Sequence, residues 1–259
     1  MTASFSNSSQ WNEWIRGTTD TDLQDIYCSN NPSLSKDEIQ TIFLNCTAFL
    51  VELGSKNDIN QRVVYSAIIY FRRFYSKIGF YEVHPYLAVP TCFYLAGKIE
   101  EIGISVTRVL SFLESVCKSH KIAPLQWTVE EVLCCENCLL QTMDFCLLLH
   151  HPVRPLRHIL SVLHCEEYLQ TCLNIINDCY FTTIPLLYPP HLIAATTIYM
   201  MCIYNSIDPQ KVFEQMGIEM SMVKAICAHI CGFYDSGEEL WPGSISDTIL
   251  SLSSQFHRE

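Results

Sequence analysis

Shifted along itself by 105 positions, the chain lays Pro85, Leu87, Thr91 and Tyr94 on Pro190, Leu192, Thr196 and Tyr199. The preceding stretch obeys the same shift, and Val64, Ile68, Phe71 and Tyr75 fall on Leu169, Leu173, Ile176 and Tyr180. Order, phase and spacing of two successive elements are kept although few residues are identical. A duplicated unit accounts for these matches together and restricts the fold to two copies of one architecture.

The matched positions lie three or four apart, which is the period of a helix face and not the two-residue alternation of a strand. From Ser35 to Leu53 the apolar residues Ile39, Ile42, Phe43, Cys46, Phe49, Leu50 and Leu53 follow that rhythm, and Ser35 with Glu38 forms a capping box at the start. The stretch from Gln61 to Lys77 is apolar on nearly every face, which predicts a helix at the centre of a bundle. A third helix is expected from His84-Pro85 to about Glu101, kinked at Pro90. A fourth covers Val106 to Ser119, and a fifth opens on a second capping pair, Thr128 with Glu131, and runs to about Asp144. The second copy closes with the stripe Val223, Ile226, Cys227, Ile230 and Tyr234. The fold class is therefore all-α.

Two prolines in HHPVRP (150–155) interrupt a helix where a linker between the copies is required. These signals divide the chain into an N-terminal short helix and loop (1–34), a first repeat (35–149), a second repeat (150–236) and a C-terminal tail (237–259) with at most a short helix around Ile245 to Leu252. In the N-terminal part Trp11, Trp14 and Ile15 stand at i, i+3 and i+4 after Ser8 and Ser9, so a short helix with an apolar face is expected there. Its tryptophans either pack on the first repeat or dock on a partner. Residues 17–34, rich in Thr, Asp and Asn, read as a loop.

Charge limits the possible partners. Sixteen basic against 27 acidic residues give a net charge of -11, and no dense Lys/Arg run exists beyond Arg72-Arg73, which opposes direct binding of nucleic acid. The 14 cysteines, in a long chain with a polar start and a 49% hydrophobic composition, read as reduced thiols and not as a disulfide framework. The longest apolar stretches, such as Leu192 to Tyr204, are shorter than the ~18 to 20 residues of a membrane span, so no membrane association is expected.

Chemistry-bearing motifs are sparse. There is no glycine-rich phosphate loop, no GxSxG elbow and no kinase signature, so neither catalysis nor a cofactor is expected. Cys134, Cys135 and Cys138 contain a CxxC without a second one or a His pair, and read as core thiols. His150-His151 and His164 sit at element boundaries and read as solvated or capping side chains, and Arg72-Arg73 as a solvated or acid-paired face. The informative stretch is FYLAGKIEE (93–101), where an apolar run ends in one cation and two anions. A buried helix whose tip turns charged reaches a surface there. In the fifth helix Val132, Glu136, Leu140, Met143 and Leu147 share one stripe, which sets the Glu136 carboxylate among apolar neighbours.

Two five-helix repeats with LAGKIEE ending the third helix and CENCLLQTMDF in the fifth resemble the cyclins, over about residues 35 to 236. SSQWNEWI, VYSAIIYFRRFY, VPTCFYLAGKIEE, MDFCLLLHHPVRPL and LLYPPHLIA are similar to the transcriptional cyclins, and most of all to the cyclin of the Mediator kinase module. The resemblance implies a cyclin fold of two cyclin boxes and a regulatory subunit, not an enzyme. It implies a partner of the cyclin-dependent kinase 8 class, further Mediator kinase-module subunits, a role in RNA polymerase II transcription and a nuclear location. Carried over residue by residue, Lys98 and Glu136 are the polar pair at the kinase interface, Ile99, Leu140, Phe145 and Leu147 its apolar contacts, and Glu100 and Glu101 the rest of the charged tip. Trp11 and Trp14 are candidates to add partner specificity.

Other readings stand beside this one. Lys98 near a helix C-terminus is favoured by the helix dipole alone, and Glu136 can reach solvent without a partner. The core of transcription factor IIB has the same pair of five-helix repeats and binds promoter DNA, although the acidic total here opposes that function. The first helix reads EIQTIFLNCTAFL and lacks the MRAIL-like segment of substrate-recruiting cyclins, and no destruction box precedes it.

Overall fold

Capping chemistry sets where the helices begin. A computed structural model describes residues 5–119, 126–209, 213 and 220–240, and among these no strand occurs. Helix α1 (Asp20–Asn30) starts from a capping box of Thr19 with Asp22, α2 (Lys36–Lys56) from Ser35 with Glu38, and α6 (Val129–Thr142) from Thr128 with Glu131. In each, the hydroxyl accepts the N3 backbone N–H and the N3 carboxylate accepts the cap's own N–H, which satisfies two orphan donors. Between them lie α3 (Gln61–Tyr75), α4 (Pro85–Ile99), which continues through Pro90, and α5 (Val106–Ser119).

The described chain gathers into two compact units. One is Thr19–Leu148, and the other joins the N-terminal residues up to Thr18 to the stretch from Leu149 to Glu239. In the first, α3 is the central element, with every residue from Val63 to Tyr75 buried. It packs on α2 and α4, and α4 packs in turn on α5 and α6. The aromatic side chains Phe49, Phe71, Phe74 and Phe93 are fully enclosed, and each contributes about 1.5–3 kcal/mol through the apolar surface it removes from water.

Arg72 and Arg73 correct the expectation of a solvated face, since both are buried. The Arg72 guanidinium lies over the Phe43 ring at 5.2 Å, and its carbonyl accepts from the Tyr27 hydroxyl at 3.2 Å. Burial lowers the Arg73 guanidinium to about 9, against the opposing effects of Tyr70 and Cys146. The expected loop at 17–34 is largely α1. Leu23 and Tyr27, one turn apart, are its buried residues, too narrow a stripe to announce a helix in a polar stretch. The Thr19–Asp22 box was its sequence signal.

The second unit contains α7 (Val153–Val162), α8 (Leu169–Cys179), a short α9 (Ile184–Leu187), α10 (Pro190–Tyr204) and α11 (Met220–Leu240). Cys179, Ile184, Ile193, Ile226 and Ile230 form its core cluster. The internal repeat is visible atom by atom. Helices α4 and α10 both begin at the matched proline and span 15 residues. The Thr91 hydroxyl donates to the Leu87 carbonyl at 2.7 Å, and the matched Thr196 hydroxyl donates to that of Leu192 at 2.9 Å. His151, expected to be solvated or capping, is buried, and its Nδ1 lies 2.8 Å from the Tyr180 hydroxyl.

The N-terminal segment belongs to this second unit, whereas its tryptophans were expected either to pack on the first repeat or to dock on a partner. The Gln10 amide accepts from the His150 N–H at 2.6 Å and donates to the His150 carbonyl at 3.2 Å. Phe5 meets the His150 and His191 rings edge-on. Gln10–Ile15 is a π-helix, closed by an Arg16 N–H to Trp11 carbonyl bond. Its i to i+5 period turns Gln10 and Ile15 to the buried face and leaves Trp11 and Trp14 half-buried. The expected tail helix around Ile245 to Leu252 lies outside the described residues.

Candidate functional site

Helices α3, α4 and α6 converge at the C-terminal end of α4, where its charged tip emerges. Among the described residues the Lys98 ammonium donates to the Glu136 carboxylate at 2.7 Å, joining α4 to α6 across 38 positions of sequence. The two ends of this pair differ in environment. The Glu136 side chain is 7% exposed and that of Lys98 48%. Lys98 also stands over the Tyr94 ring at 5.1 Å, one helical turn back. The hydrogen bond that Lys98 gives to the Glu136 carboxylate raises the Lys98 pKa above its ordinary value, so the ammonium is held charged.

A second ion pair stands beside the first. Arg62 of α3 meets Glu100 at 2.6 Å, and the Ser66 hydroxyl donates to the same carboxylate at 2.8 Å. Glu100 therefore turns inward, with its side chain 7% exposed, and does not extend the outer charged tip. Glu101 is exposed and closes α4 with a φ of 58°. The sequence reading missed Arg62 and Ser66. Their signal was two polar residues four apart, with only Val63, Val64 and Tyr65 between them, at the start of a largely apolar helix.

The apolar part of the site surrounds the end of α6. That helix stops at Thr142, so Leu147 is not carried on a continuing stripe as the spacing implied. The chain instead turns through the left-handed region at Asp144 and Phe145, with φ of 49° and 56°. The turn leaves Phe145 66% and Leu148 74% exposed, while the Leu147 carbonyl accepts from the Tyr70 hydroxyl at 2.6 Å. Ile99, Leu140 and Leu147 are half-buried. The stretch after α6 thus presents exposed aromatic and aliphatic side chains, and the end of α4 a half-exposed ammonium. Trp11 and Trp14 belong to the other unit.

The N-terminal domain of cyclins matches residues 22–148. Cyclin-C of Rattus norvegicus is 30% identical over 97% of this chain and 90% of its own length, and Cyclin-C of Drosophila melanogaster is 32% identical over 93% and 91%. The chain belongs to the cyclin family. As a cyclin it is the regulatory subunit of a protein kinase and not itself an enzyme. Solved structures share its fold. A chain of the CAK complex of Chaetomium thermophilum bound to ATP-gamma-S superposes with a TM-score of 0.74 at 16% identity, covering 98% of this cyclin and 88% of that chain. A chain of the yeast RNA Pol II CTD kinase CTDK-1 complex does so with a TM-score of 0.71 at 14% identity, covering 88% and 76%. Among the described residues no helix is long and apolar enough to cross a membrane.

Proposed function

We propose that this cyclin activates a transcriptional cyclin-dependent kinase of the cyclin-dependent kinase 8 class, within a Mediator-type kinase module in the nucleus, by packing its Lys98–Glu136 surface against the kinase's regulatory helix. The observation that carries this reading is the pair itself, a buried carboxylate and a half-exposed ammonium 2.7 Å apart, in a unit whose α6 is followed by exposed Phe145 and Leu148. In a kinase the glutamate of the regulatory helix must pair with the lysine that positions ATP, and that helix has to be held inward. A rigid apolar face that fits only the inward helix turns catalysis on through packing energy. Moving such a two-state equilibrium from 1:99 to 99:1 takes about 5.5 kcal/mol of differential affinity, within reach of an ordinary protein interface.

The Lys98 ammonium has donors beyond the one given to Glu136, and it is suited to a backbone carbonyl at the end of the kinase helix. Glu136 holds it in place. The likeness to Cyclin-C proteins and to chains of kinase complexes supports the kinase class. Phosphorylation of a peptide of the RNA polymerase II C-terminal domain by a purified kinase of this class, with and without the cyclin, tests the reading. Activation by the native chain and its loss with Lys98→Ala are expected. A kinase equally active alone, or a cyclin that binds duplex DNA and no kinase, overturns the assignment.

A further inference from the structure

The internal repeat gives the site of the first unit a counterpart in the second. Under the shift that maps α4 on α10, Lys98 becomes Ile203, Ile99 becomes Tyr204, and Tyr70 of α3 becomes Ile175 of α8. The closing helices match in their own register. Val132, Cys135 and Leu139 of α6 and Val223, Ile226 and Ile230 of α11 are buried in the same order and spacing, which sets Glu136 on Cys227 and Leu140 on Cys231. These replacements line a cavity of about 460 Å³ bounded by α8, α10 and α11. The duplicated position is a hollow that has lost both charges of the polar pair.

From this equivalence we infer that the groove between α8, α10 and α11 is a second helix-docking site, which takes an amphipathic helix from another protein chain whose docking stripe is aliphatic or aromatic and uncharged. The inference rests on the reading of the first site as one that receives a helix. Ile203 is 54% and Tyr204 84% exposed, so the wall that α10 gives to the groove is apolar and open to a partner. A charged side chain on the docking stripe finds no partner among the groove's replaced positions and is rejected by desolvation. The flanks favour cations. Asp178 accepts from the Tyr234 hydroxyl at the groove's edge at 2.8 Å, Asp235 follows Tyr234, and Glu167 stands one turn before Thr171, against Lys224 on α11. The partner helix thus carries Lys or Arg beside its apolar stripe.

A fluorescein-labelled helical peptide of about 16 residues, long enough to hold helical structure, tests this when titrated by anisotropy into the full chain. It carries leucines at i, i+3, i+4 and i+7 and lysines elsewhere. Saturable binding is expected, weakened about tenfold by Ile203→Glu or Tyr204→Ser, unchanged by Leu140→Asp, and absent for the same peptide with serine in place of leucine. Unchanged thermal melts show that the variants fold. Equal binding to the Ile203→Glu chain, or binding of the serine peptide, overturns the inference. So does self-association that Ile203→Glu abolishes, which makes a second copy the occupant, or a tenfold gain in peptide affinity on truncation after Leu240, which makes the chain's own tail the occupant. Kinase binding of Lys98→Ala fails or persists independently of this titration, so the two readings stand or fall apart.

Discussion

Glu136 is almost completely enclosed while Lys98, which donates to it at 2.7 Å, stands half in water. The asymmetry gives the two residues separable roles. Glu136 is the enclosed member on α6, and Lys98 is the member that, on the proposed function, meets the kinase. On kinase binding both sides become desolvated, and truncating one member of such a pair costs about 2–5 kcal/mol. Lys98→Ala and Glu136→Ala are each expected to weaken kinase binding at least tenfold in a calorimetric titration. Lys98→Ala also leaves a buried carboxylate without its cation, so Lys98→Met with Glu136→Gln should restore stability in urea unfolding but not kinase affinity. Binding unaltered by both single substitutions removes these residues from the interface.

Gly54 on α2 faces the buried Val64 of α3, and a Cβ placed there would stand 2.3 Å from Val64 Cγ2. Helix propensity alone makes alanine better than glycine by about 1 kcal/mol. Here the clash decides the sign. Gly54→Ala is expected to destabilise the first unit by about 1–3 kcal/mol, the usual penalty for overpacking. The double variant with Val64→Ala should recover part of that loss, as a coupling energy in a double-mutant cycle of urea unfolding. Additive effects of the two substitutions contradict the contact.

Helices with a wide apolar stripe were legible in the sequence, and α2 through α6 follow their periodicity and capping residues closely. The Lys98–Glu136 pair was reached through resemblance, because spacing showed a carboxylate in an apolar stripe without naming what it meets. Three features were hidden for physical reasons. Arg72 and Arg73 looked like solvent-facing charges, since sequence does not reveal that Phe43 supplies an aromatic face for one of them. The Gln10–Ile15 π-helix has a period that a search for i, i+3, i+4 patterns misreads by one residue. The inward turn of Glu100 depends on Arg62 and Ser66, 38 and 34 positions earlier, contacts that only the tertiary fold brings together.

Gln10 ties the N-terminal segment to His150 through both halves of its amide. The side chain is 1% exposed, so the His150 backbone groups lose their partner when it is shortened. Gln10→Ala is expected to cost about 2 kcal/mol, from buried polar groups left unsatisfied. The effect should show as faster amide exchange at His150 and quicker proteolysis after Arg16. Gln10→Glu keeps the acceptor for the His150 N–H but sets a carboxylate against the His150 carbonyl, and is expected to lose as much at neutral pH and less at acid pH. Exchange at His150 that is unchanged in Gln10→Ala counts against this anchoring role.

Asp178 sets a pH dependence in the second unit. Burial raises its pKa above the ordinary 3.8, and the hydrogen bond from Tyr234 offsets only part of that shift. A carboxyl group whose folded pKa exceeds its unfolded one binds protons more tightly in the folded chain. Its contribution is fully stabilising below the unfolded pKa and is lost as pH rises through the folded value. At neutral pH the ionised carboxylate therefore costs stability. Asp178→Asn keeps an oxygen that accepts from the Tyr234 hydroxyl and removes the charge. The variant is expected to melt higher than the native chain at pH 7, with the difference shrinking toward zero as the pH is lowered to about 4, the unfolded carboxylate range. A variant that melts lower at pH 7 and gains relative to the native chain on acidification reverses the sign and shows that the Tyr234 bond outweighs the desolvation.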